Sequence, residues 1–320
     1  MKLSVVIPVF NEEENLPPLH QQLTAAVPGH VDDYEVIFVN DGSTDRSLAL
    51  LQELCKQDPH VRYLSFSRNF GHEIASTAGL DAASGDAVIL MDADLQDPPA
   101  LIVDLLTRWK AGADVVYARR RHRAGESFFK RTSAHLFYRL LCKVADVRIP
   151  RDTGDFRLMD RRVVEQLRAC RENPRFMRGL VAWVGFRQDE VMYDRPHRHA
   201  GRTKYNLFKL VRLSWEAICA FSLVPLRFVM WLGAVVTALS LALTVIVAIQ
   251  KLLLHLEIPG YALLACGIFF LGGIQLIMLG IIAQYLGLTF KAAQNRPLYI
   301  IDQRGGWETD HERSALPGNV

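Results

Sequence analysis

The chain has 320 residues, of which 50% are hydrophobic and 22% are charged, and its formal net charge is +3. This composition excludes a disordered, a collagen-like and a disulfide-scaffolded protein. The nearly balanced charge gives no reason to expect a nucleic-acid partner. Five cysteines without CxxC spacing indicate a reducing compartment.

Short β-branched runs alternate with amphipathic segments through the first part of the chain. Strands are predicted at residues 3–10, 34–40, 61–65, 87–92 and 114–118, and helices at 46–56, 71–83 and 98–110. Such alternation predicts βαβ units and an α/β domain with a mostly parallel sheet. Ligands of these sheets bind where the carboxyl ends of the strands open into loops.

Polar residues collect in four of these loops. Asp92 and Asp94 are two residues apart, so both carboxylates can face one ligand at the end of a strand. Hard oxygen ligands favour Mg²⁺ or Mn²⁺, and Gln96 can add a neutral oxygen. A turn with a helix cap explains an isolated Asp-x-Asp equally well, but Glu12 and Asp41 in neighbouring loops favour a cation site that binds a diphosphate.

The chain becomes strongly basic after the fifth predicted strand. Six cations lie between Arg119 and Arg131, and further along come Asp155 in a Thr-Gly-Asp-Phe-Arg segment and a second basic segment with Arg202 and Lys204. A solvated charged face is the ordinary interpretation of such a run. Four histidines have no metal-ligand spacing and are predicted to be surface or core residues: His72, His135, His197 and His199.

Two long stretches near the carboxyl end, residues 228–249 and 258–290, carry no charge. Each exceeds the ~20 apolar residues that cross a bilayer, and buried core helices are the alternative. The short connection predicts a hairpin of two transmembrane helices at about 228–250 and 260–288, and basic residues on both flanks place the flanks in the cytoplasm. The predicted organisation is a cytosolic domain at 1–204, an amphipathic juxtamembrane helix at 205–226, transmembrane helices within 227–290 and a cytosolic tail at 291–320.

Several motifs together resemble those of one family. They are Val-Ile-Pro-Val-Phe-Asn-Glu at 6–12, Asn-Asp-Gly-Ser-Thr-Asp at 40–45, Arg-Asn-Phe-Gly at 68–71, Asp-Ala-Asp-Leu-Gln-Asp-Pro-Pro at 92–99 and Thr-Gly-Asp-Phe-Arg-Leu-Met-Asp at 153–160. With the paired apolar stretches, the chain resembles the inverting nucleotide-sugar glycosyltransferases of the GT-A fold. More narrowly, it resembles the polyprenyl-phosphate glycosyltransferases, which include dolichyl-phosphate mannosyltransferase and bactoprenol glucosyltransferases.

The resemblance implies transfer of a hexose, glucose from UDP-glucose, to polyprenyl (undecaprenyl) phosphate with inversion, at the plasma membrane, for cell-envelope glycosylation. On the donor side it implies that the base is held near Pro8, Phe10 and Asp41, that Glu12 and Asp92 lie near the base and ribose, and that Arg68 contacts the nucleotide. Asp94 and Gln96 would bind Mg²⁺ or Mn²⁺ on the diphosphate. Arg202 and Lys204 would lie in a loop that closes over the donor.

On the acceptor side, the resemblance implies that Arg119 and Arg131 approach the lipid phosphate, because guanidinium groups pair with phosphate in a bidentate fork. Contact with anionic lipid headgroups is the alternative. Asp155 is open between three roles: a general base, a group that orients the sugar or an arginine, and a salt-bridge partner of Arg157. The family also suggests a homo-oligomer, with a tetramer as one form.

Three other functions stay open at this point. The donor of the same reaction could be GDP-mannose or an amino-sugar nucleotide. A processive polysaccharide synthase shares the donor site, but the chain has no Gln-x-x-Arg-Trp motif and two helices cannot enclose a polymer channel. A non-catalytic membrane scaffold or flippase component would use the α/β domain only to bind a nucleotide.

Overall fold

The computed structural model describes residues 1–121, 153–173, 175–194, 224–252 and 260–307. Three residues of the predicted site, Arg131, Arg202 and Lys204, lie outside these ranges, and so does nearly all of the predicted juxtamembrane helix. The described strands are β1 Lys2–Val9, β2 Asp33–Asn40, β3 Val61–Phe66, β4 Ala87–Leu90, β5 Val115–Arg120, β6 Thr153–Asp160, β7 Gln188–Tyr193 and β8 Ile301–Gly305. The described α-helices are α1 Leu16–Ala26, α2 Ser47–Gln57, α3 His72–Ala82, α4 Ile102–Lys110, α5 Arg161–Ala169, α6 Met177–Trp183, α7 Val224–Leu252 and α8 Tyr261–Ala293.

The described strands form one mixed, mostly parallel sheet in the order β7-β5-β6-β4-β1-β2-β3-β8. Strands β1 to β4 are parallel to their neighbours among themselves, while β6 runs antiparallel to both β4 and β5. The predicted α/β domain is therefore confirmed. The predicted boundaries are close to the observed ones, although β4 ends at Leu90 and a 3-10 turn, Pro99–Leu101, precedes α4.

Both faces of the sheet are covered by helices, which explains the nearly continuous apolar sequence of β1. Leu3, Val5 and Ile7 pack on one side in a core with residues of α1, α2 and α4. Val6 points to the other side, into a second core with residues of α3, α5 and α6. Burial on both faces leaves the carboxyl ends of the strands as the place where polar side chains accumulate.

The position of β6 is the main topological feature that the sequence analysis did not predict. This strand lies between β4 and β5, although it follows both in the chain. It carries Asp155 and Arg157 at buried positions, so it lacks the apolar run by which β1 to β5 were predicted. The insertion brings Asp155 beside the end of β4 and therefore beside Asp92.

The segment after the second long helix also returns to the sheet. The sequence analysis places residues 291–320 in a tail, but β8 pairs antiparallel with β3. The Tyr299 hydroxyl donates to Oδ2 of buried Asp81 at 2.9 Å, and its ring stacks on Phe66 at 5.3 Å. Trp307 is buried as well. The described part of this segment thus belongs to the α/β domain, a pairing with no local signal because β3 is more than 200 residues away.

The chain divides into two compact units, and the second contains α7 and α8. Both helices are long and apolar enough to cross a membrane: Val224–Leu243 has a mean hydropathy of 1.9 and Phe270–Ala293 one of 1.7. Only 6% and 0% of these segments are buried, unlike a core helix of a soluble domain. The two helices pack on each other, since a Cβ atom at Gly233 would lie 3.3 Å from Cε of Met278.

Candidate active site

The loops after β1 and β2 are tied together by side-chain hydrogen bonds to the backbone. Asn11, which has a left-handed φ of 57°, donates from its backbone N–H to Oγ of Ser43 at 3.0 Å and accepts from the backbone N–H of Thr44 at 2.8 Å. The Glu12 N–H donates to Oγ of Ser47 at 3.0 Å. These bonds hold the two loops as one rigid edge.

Asp41 ties the loop after β3 to the same edge. Its carboxylate is buried and accepts from the backbone N–H groups of Phe70 at 2.6 Å and Gly71 at 3.0 Å, and from Nδ2 of Asn69 at 2.9 Å. Gly42 is required here, because its φ is +66° and a Cβ atom would lie 2.5 Å from the backbone of Arg68. The structure therefore shows Asp41 as a loop anchor, and its contact with a base stays a prediction.

These loops, the loop after β4 and β6 line an open cavity of about 440 Å³. Its lining brings together seven of the residues that the sequence analysis assigns to the site, together with neighbouring residues from the loop after β3. The lining residues are Pro8, Val9, Phe10, Glu12, Asp41, Asn69, Gly71, His72, Asp92, Ala93, Asp94 and Asp155.

Two aspartates and a histidine meet in this cavity. His72 begins α3, Asp92 follows β4 and Asp155 lies in β6. Nε2 of His72 is 3.5 Å from Oδ1 of Asp92 and 3.7 Å from Oδ2 of Asp155. One ligand atom from each of the three lies within 4.8 Å of the others, as a metal site requires. We call His72, Asp92 and Asp155 the acid–histidine cluster.

His72 is a functional candidate that the sequence analysis missed. The sequence analysis predicts a surface or core histidine at this position, because no second donor stands at metal-ligand spacing in the sequence. Its partners, Asp92 after β4 and Asp155 in β6, are 20 and 83 residues further along the chain, so only the sheet topology brings them together. No pattern in the sequence distinguishes His72 from the other histidines.

Asp155 is held by two arginines. Arg178 donates from Nε and Nη2 to the two carboxylate oxygens at 2.8 and 2.9 Å, a bidentate fork. Arg157, which is fully buried, lies 3.4 Å from Oδ1. The predicted ion pair with Arg157 is therefore present, but Arg178 makes the shorter contacts. Burial opposes the charged form, yet these hydrogen bonds and charges hold the pKa of Asp155 well below its usual range.

The other two members of the cluster titrate differently. Burial, with the charges of Asp155 and Asp94 adding to it and that of His72 opposing it, raises the pKa of Asp92. Burial lowers the pKa of His72, but its 3.7 Å contact with Asp155 and the charges of Asp92 and Asp155 outweigh burial and raise that pKa from 6.5 to about 9. Without a metal, His72 is therefore a cation that neutralises part of the carboxylate charge.

The donor set of the cluster fits a divalent cation. Its two carboxylates are hard oxygen ligands of the kind that Mg²⁺ and Mn²⁺ prefer, and all three side chains line one cavity. Imidazole must lose its proton to bind a metal, so a bound cation would compete with a proton for His72.

Asp94 and Gln96, which the sequence analysis assigns to the metal, are close to this cluster but outside it. Asp94 lines the cavity, and its Oδ1 accepts from the backbone N–H of Gln96 at 3.1 Å. Leu95 between them has a left-handed φ of 61°. Gln96 is not among the described residues that line the cavity. Their metal-binding role stays a prediction.

Two predicted arginines are described outside the cavity lining. Nη1 of Arg119, on β5, lies 3.0 Å from both carboxylate oxygens of Glu190 on β7. The guanidinium of Arg68 lies 3.9 Å from the ring centre of Phe70 and donates to the backbone carbonyl of Asn69 at 2.9 Å. A phosphate would have to compete with Glu190 for Arg119, and both proposed roles stay predictions.

The raised pKa of His72 predicts a pH-dependent stability of the metal-free protein. Because the folded pKa of about 9 exceeds the ordinary value of 6.5, protonated His72 stabilises the fold below 6.5, and that stabilisation is lost as the pH rises through about 9. In EDTA, the thermal midpoint of the wild type should fall over this window, and His72→Gln should remove this fall. His30→Gln, at an exposed histidine, should follow the wild type; an unchanged profile for His72→Gln would contradict the assignment.

Residues 4–168 match the sequence model of Glycosyl transferase family 2. An uncharacterized glycosyltransferase of Synechocystis sp. is 45% identical over 308 residues, 96% of this chain and 97% of its own. A prophage-derived bactoprenol glucosyl transferase of Shigella flexneri is 43% identical over 301 residues, 94% of this chain and 97% of its own. The structure of glucosyl-3-phosphoglycerate synthase from Mycobacterium tuberculosis, 21% identical, overlaps 69% of this chain and 78% of its own with a TM-score of 0.49.

Proposed function

Because the chain belongs to glycosyl transferase family 2 and is a glycosyltransferase of the GT-A fold, we propose that it transfers a hexose from a nucleotide sugar to polyprenyl phosphate. The acceptor is suggested by the relatives named bactoprenol glucosyl transferase, which align with almost the whole chain. The same name makes glucose the proposed sugar, and UDP is proposed as its carrier.

The observation that carries the proposal is the acid–histidine cluster at the carboxyl ends of the strands. A nucleoside diphosphate brings negative charge, and a carboxylate cavity accepts it only with a cation between them. His72, Asp92 and Asp155 would hold that Mg²⁺ or Mn²⁺, with Asp94 of the same cavity as a further ligand. When bound, the metal supplies Lewis-acid stabilisation of the charge on the leaving diphosphate.

The proposed acceptor removes the need for a strong general base. A phosphate monoester has a second pKa of ~6 and is largely ionised at neutral pH, so its oxygen attacks the anomeric carbon without losing a proton. Asp155 is fixed at both oxygens by Arg178 and accepts from Arg157 as well. This geometry supports an orienting role for Asp155 toward the sugar or the cation rather than a role as base.

A lipid acceptor is consistent with the two candidate membrane helices in the second unit of the chain. Polyprenyl phosphate is a membrane lipid, and α7 and α8 each contain a segment that meets the length and apolarity of a membrane span. We propose that both cross the inner (plasma) membrane as a hairpin, with the catalytic domain in the cytosol as the basic flanks indicate. Homo-oligomerisation, with a tetramer as one form, stays a prediction.

A transfer assay tests the proposal. Purified protein with Mn²⁺ and radiolabelled UDP-glucose should label the organic phase in the presence of undecaprenyl phosphate but not with undecaprenol, which lacks the phosphate. Parallel reactions with GDP-mannose and UDP-N-acetylglucosamine identify the donor.

Other outcomes would overturn parts of the proposal. An acid-insoluble polymer would indicate a processive synthase. Label in no product with any donor would favour the non-catalytic scaffold or flippase component. Equal labelling of undecaprenol would exclude the phosphate as nucleophile.

A further inference from the structure

Arg178 holds both carboxylate oxygens of Asp155, and the sequence analysis assigns it no role. It is the second residue of α6, a short helix that starts at Met177. Its guanidinium spans the Asp155 carboxylate with two donors at 2.8 and 2.9 Å, and it does not line the described cavity. Arg178 therefore contacts Asp155, a cavity residue, without lining the cavity itself.

The start of α6 is itself fixed by the partly buried carboxylate of Glu73. Oε2 of Glu73 accepts from the backbone N–H of Met177 at 2.9 Å, across more than 100 residues of sequence. Glu73 is the second residue of α3, next to His72. The contact therefore joins the N-terminal turns of α3 and α6 next to the cavity residue His72.

These contacts close a ring. Glu73 adjoins His72 on α3, Met177 adjoins Arg178 on α6, and Asp155 faces both His72 and Arg178 from β6. Hydrogen bonds make two links of this ring, and a 3.7 Å ion-pair contact between His72 and Asp155 makes the third. Links through three separate elements restrict the movement of each member more than a single pair does. Asp155 is the member whose side chain makes two of these contacts.

Arg157 and Arg178 have different tasks in this arrangement. Arg157 donates from Nη2 to the carbonyl of Gly154 at 2.9 Å and from Nε to the carbonyl of Asp155 at 3.2 Å, which fixes the backbone. It reaches only one carboxylate oxygen, at 3.4 Å. The rotation of the Asp155 carboxylate is left to Arg178, whose planar fork matches both oxygens.

We propose that Arg178 is a positioning residue that sets the orientation of the Asp155 carboxylate toward the cavity, with Glu73 bracing the helix that carries it. This inference rests on the proposed function in assuming that Asp155 faces the reacting sugar or its cation. A misplacement of about 1 Å in a reacting group can cost ~10²-fold in rate. Lysine at this position keeps the charge but cannot bond both oxygens in one plane.

The test compares kinetic constants and thermal midpoints of the full-length protein. Arg178→Gln should lower kcat about 100-fold with the donor KM changed less than about 3-fold, and Arg178→Lys should fall between. The matched control is Arg171→Gln, which breaks another Arg–Asp fork, with Asp81 at 2.7 and 3.1 Å, outside the cavity. This control should lower the thermal midpoint by a similar amount and keep kcat within about 2-fold.

A double-mutant comparison separates positioning from general destabilisation. In an Asp155→Asn background, Arg178→Gln should lower kcat by less than about 3-fold, because its target is already gone. Glu73→Gln keeps an oxygen that can accept from Met177 and should retain most activity, whereas Glu73→Leu should match Arg178→Gln. Three outcomes would each overturn the inference. Arg178→Gln could keep the wild-type kcat, or it could lose no more kcat than Arg171→Gln does at a similar midpoint shift. It could also lower kcat as much in the Asp155→Asn background as in the wild type.

The same variants are also assayed for hydrolysis of the nucleotide sugar without an acceptor. If the wild type hydrolyses the donor but labels no lipid, the proposed acceptor is wrong, and the Arg178 comparison is decided on the hydrolysis rate. If the wild type labels lipid and Arg178→Gln does so equally well, the proposed function stands and the positioning role is wrong.

Discussion

Asp92→Asn is expected to lower the transfer rate by at least about 10³-fold and to weaken Mn²⁺ binding in the same preparation. The substitution keeps the shape of the side chain but removes a hard anionic ligand from the acid–histidine cluster. Metal stabilisation of a leaving diphosphate contributes several kcal/mol, and each ~1.4 kcal/mol is a factor of ten in rate. Initial rates and the electron paramagnetic resonance signal of free Mn²⁺ measure the two effects.

The control for this variant is Asp104→Asn, which removes an exposed carboxylate on α4. It should match the wild type in both measurements. Asp94→Asn belongs in the same series, because the sequence analysis assigns the metal to Asp94. Full Mn²⁺ binding by Asp92→Asn would exclude Asp92 as a ligand; full binding and activity of Asp94→Asn would overturn the assignment of Asp94.

Arg157→Met is expected to cost about 3–5 kcal/mol of folding stability, the largest effect we expect of any single residue outside the cavity lining. Arg157 is fully buried and donates to two buried backbone carbonyls and to Asp155. Removing one partner of a buried charge network leaves the other groups desolvated and unpaired, which carries a penalty of this size. The thermal midpoint in detergent, measured with and without Mn²⁺, reports the loss.

If the Arg157→Met protein does not accumulate, the thermal midpoint of Arg157→Lys is measured in its place. This variant keeps the charge but loses the planar donors, so its midpoint should lie between those of the wild type and Arg157→Met. The exposed Arg162, which pairs with Asp114 and Asp160, is the control, and Arg162→Met should move the midpoint far less. Equal shifts for Arg157→Met and Arg162→Met would show that the buried network is not a major source of stability.

The sequence alone predicts which loops carry the residues on the donor side of the site, and the reason is the way parallel strands pack. Parallel strands covered on both faces are nearly continuous apolar runs, and their carboxyl ends meet at one edge. Pro8, Asp41 and Asp92 each follow or end such a run, so their convergence is readable from local pattern. Seven predicted residues do line one cavity. The two apolar helices are equally local features, since length and lack of charge define them.

The sequence analysis could not assign the partners of these residues. The sequence analysis predicts that Asp41 contacts the nucleotide base. In the structure, its carboxylate accepts hydrogen bonds from backbone N–H groups of the loop after β3. Arg119 is the first residue of a basic run in the sequence, but the structure pairs it with Glu190 on the neighbouring strand. In both cases the competing partner comes from a distant segment, and local composition carries no information about it.

The sequence by itself determined the α/β class, the loops that carry the acidic residues and the presence of two apolar helices, because each depends on periodicity or composition within about 10 to 30 residues. Only the tertiary structure decided that β6 inserts between β4 and β5, that His72 joins Asp92 and Asp155, that Arg178 holds Asp155, and that β8 completes the sheet beside β3. These features are contacts between segments far apart in the chain. Their energy comes from pairing buried charges and strand edges, which no single segment contains.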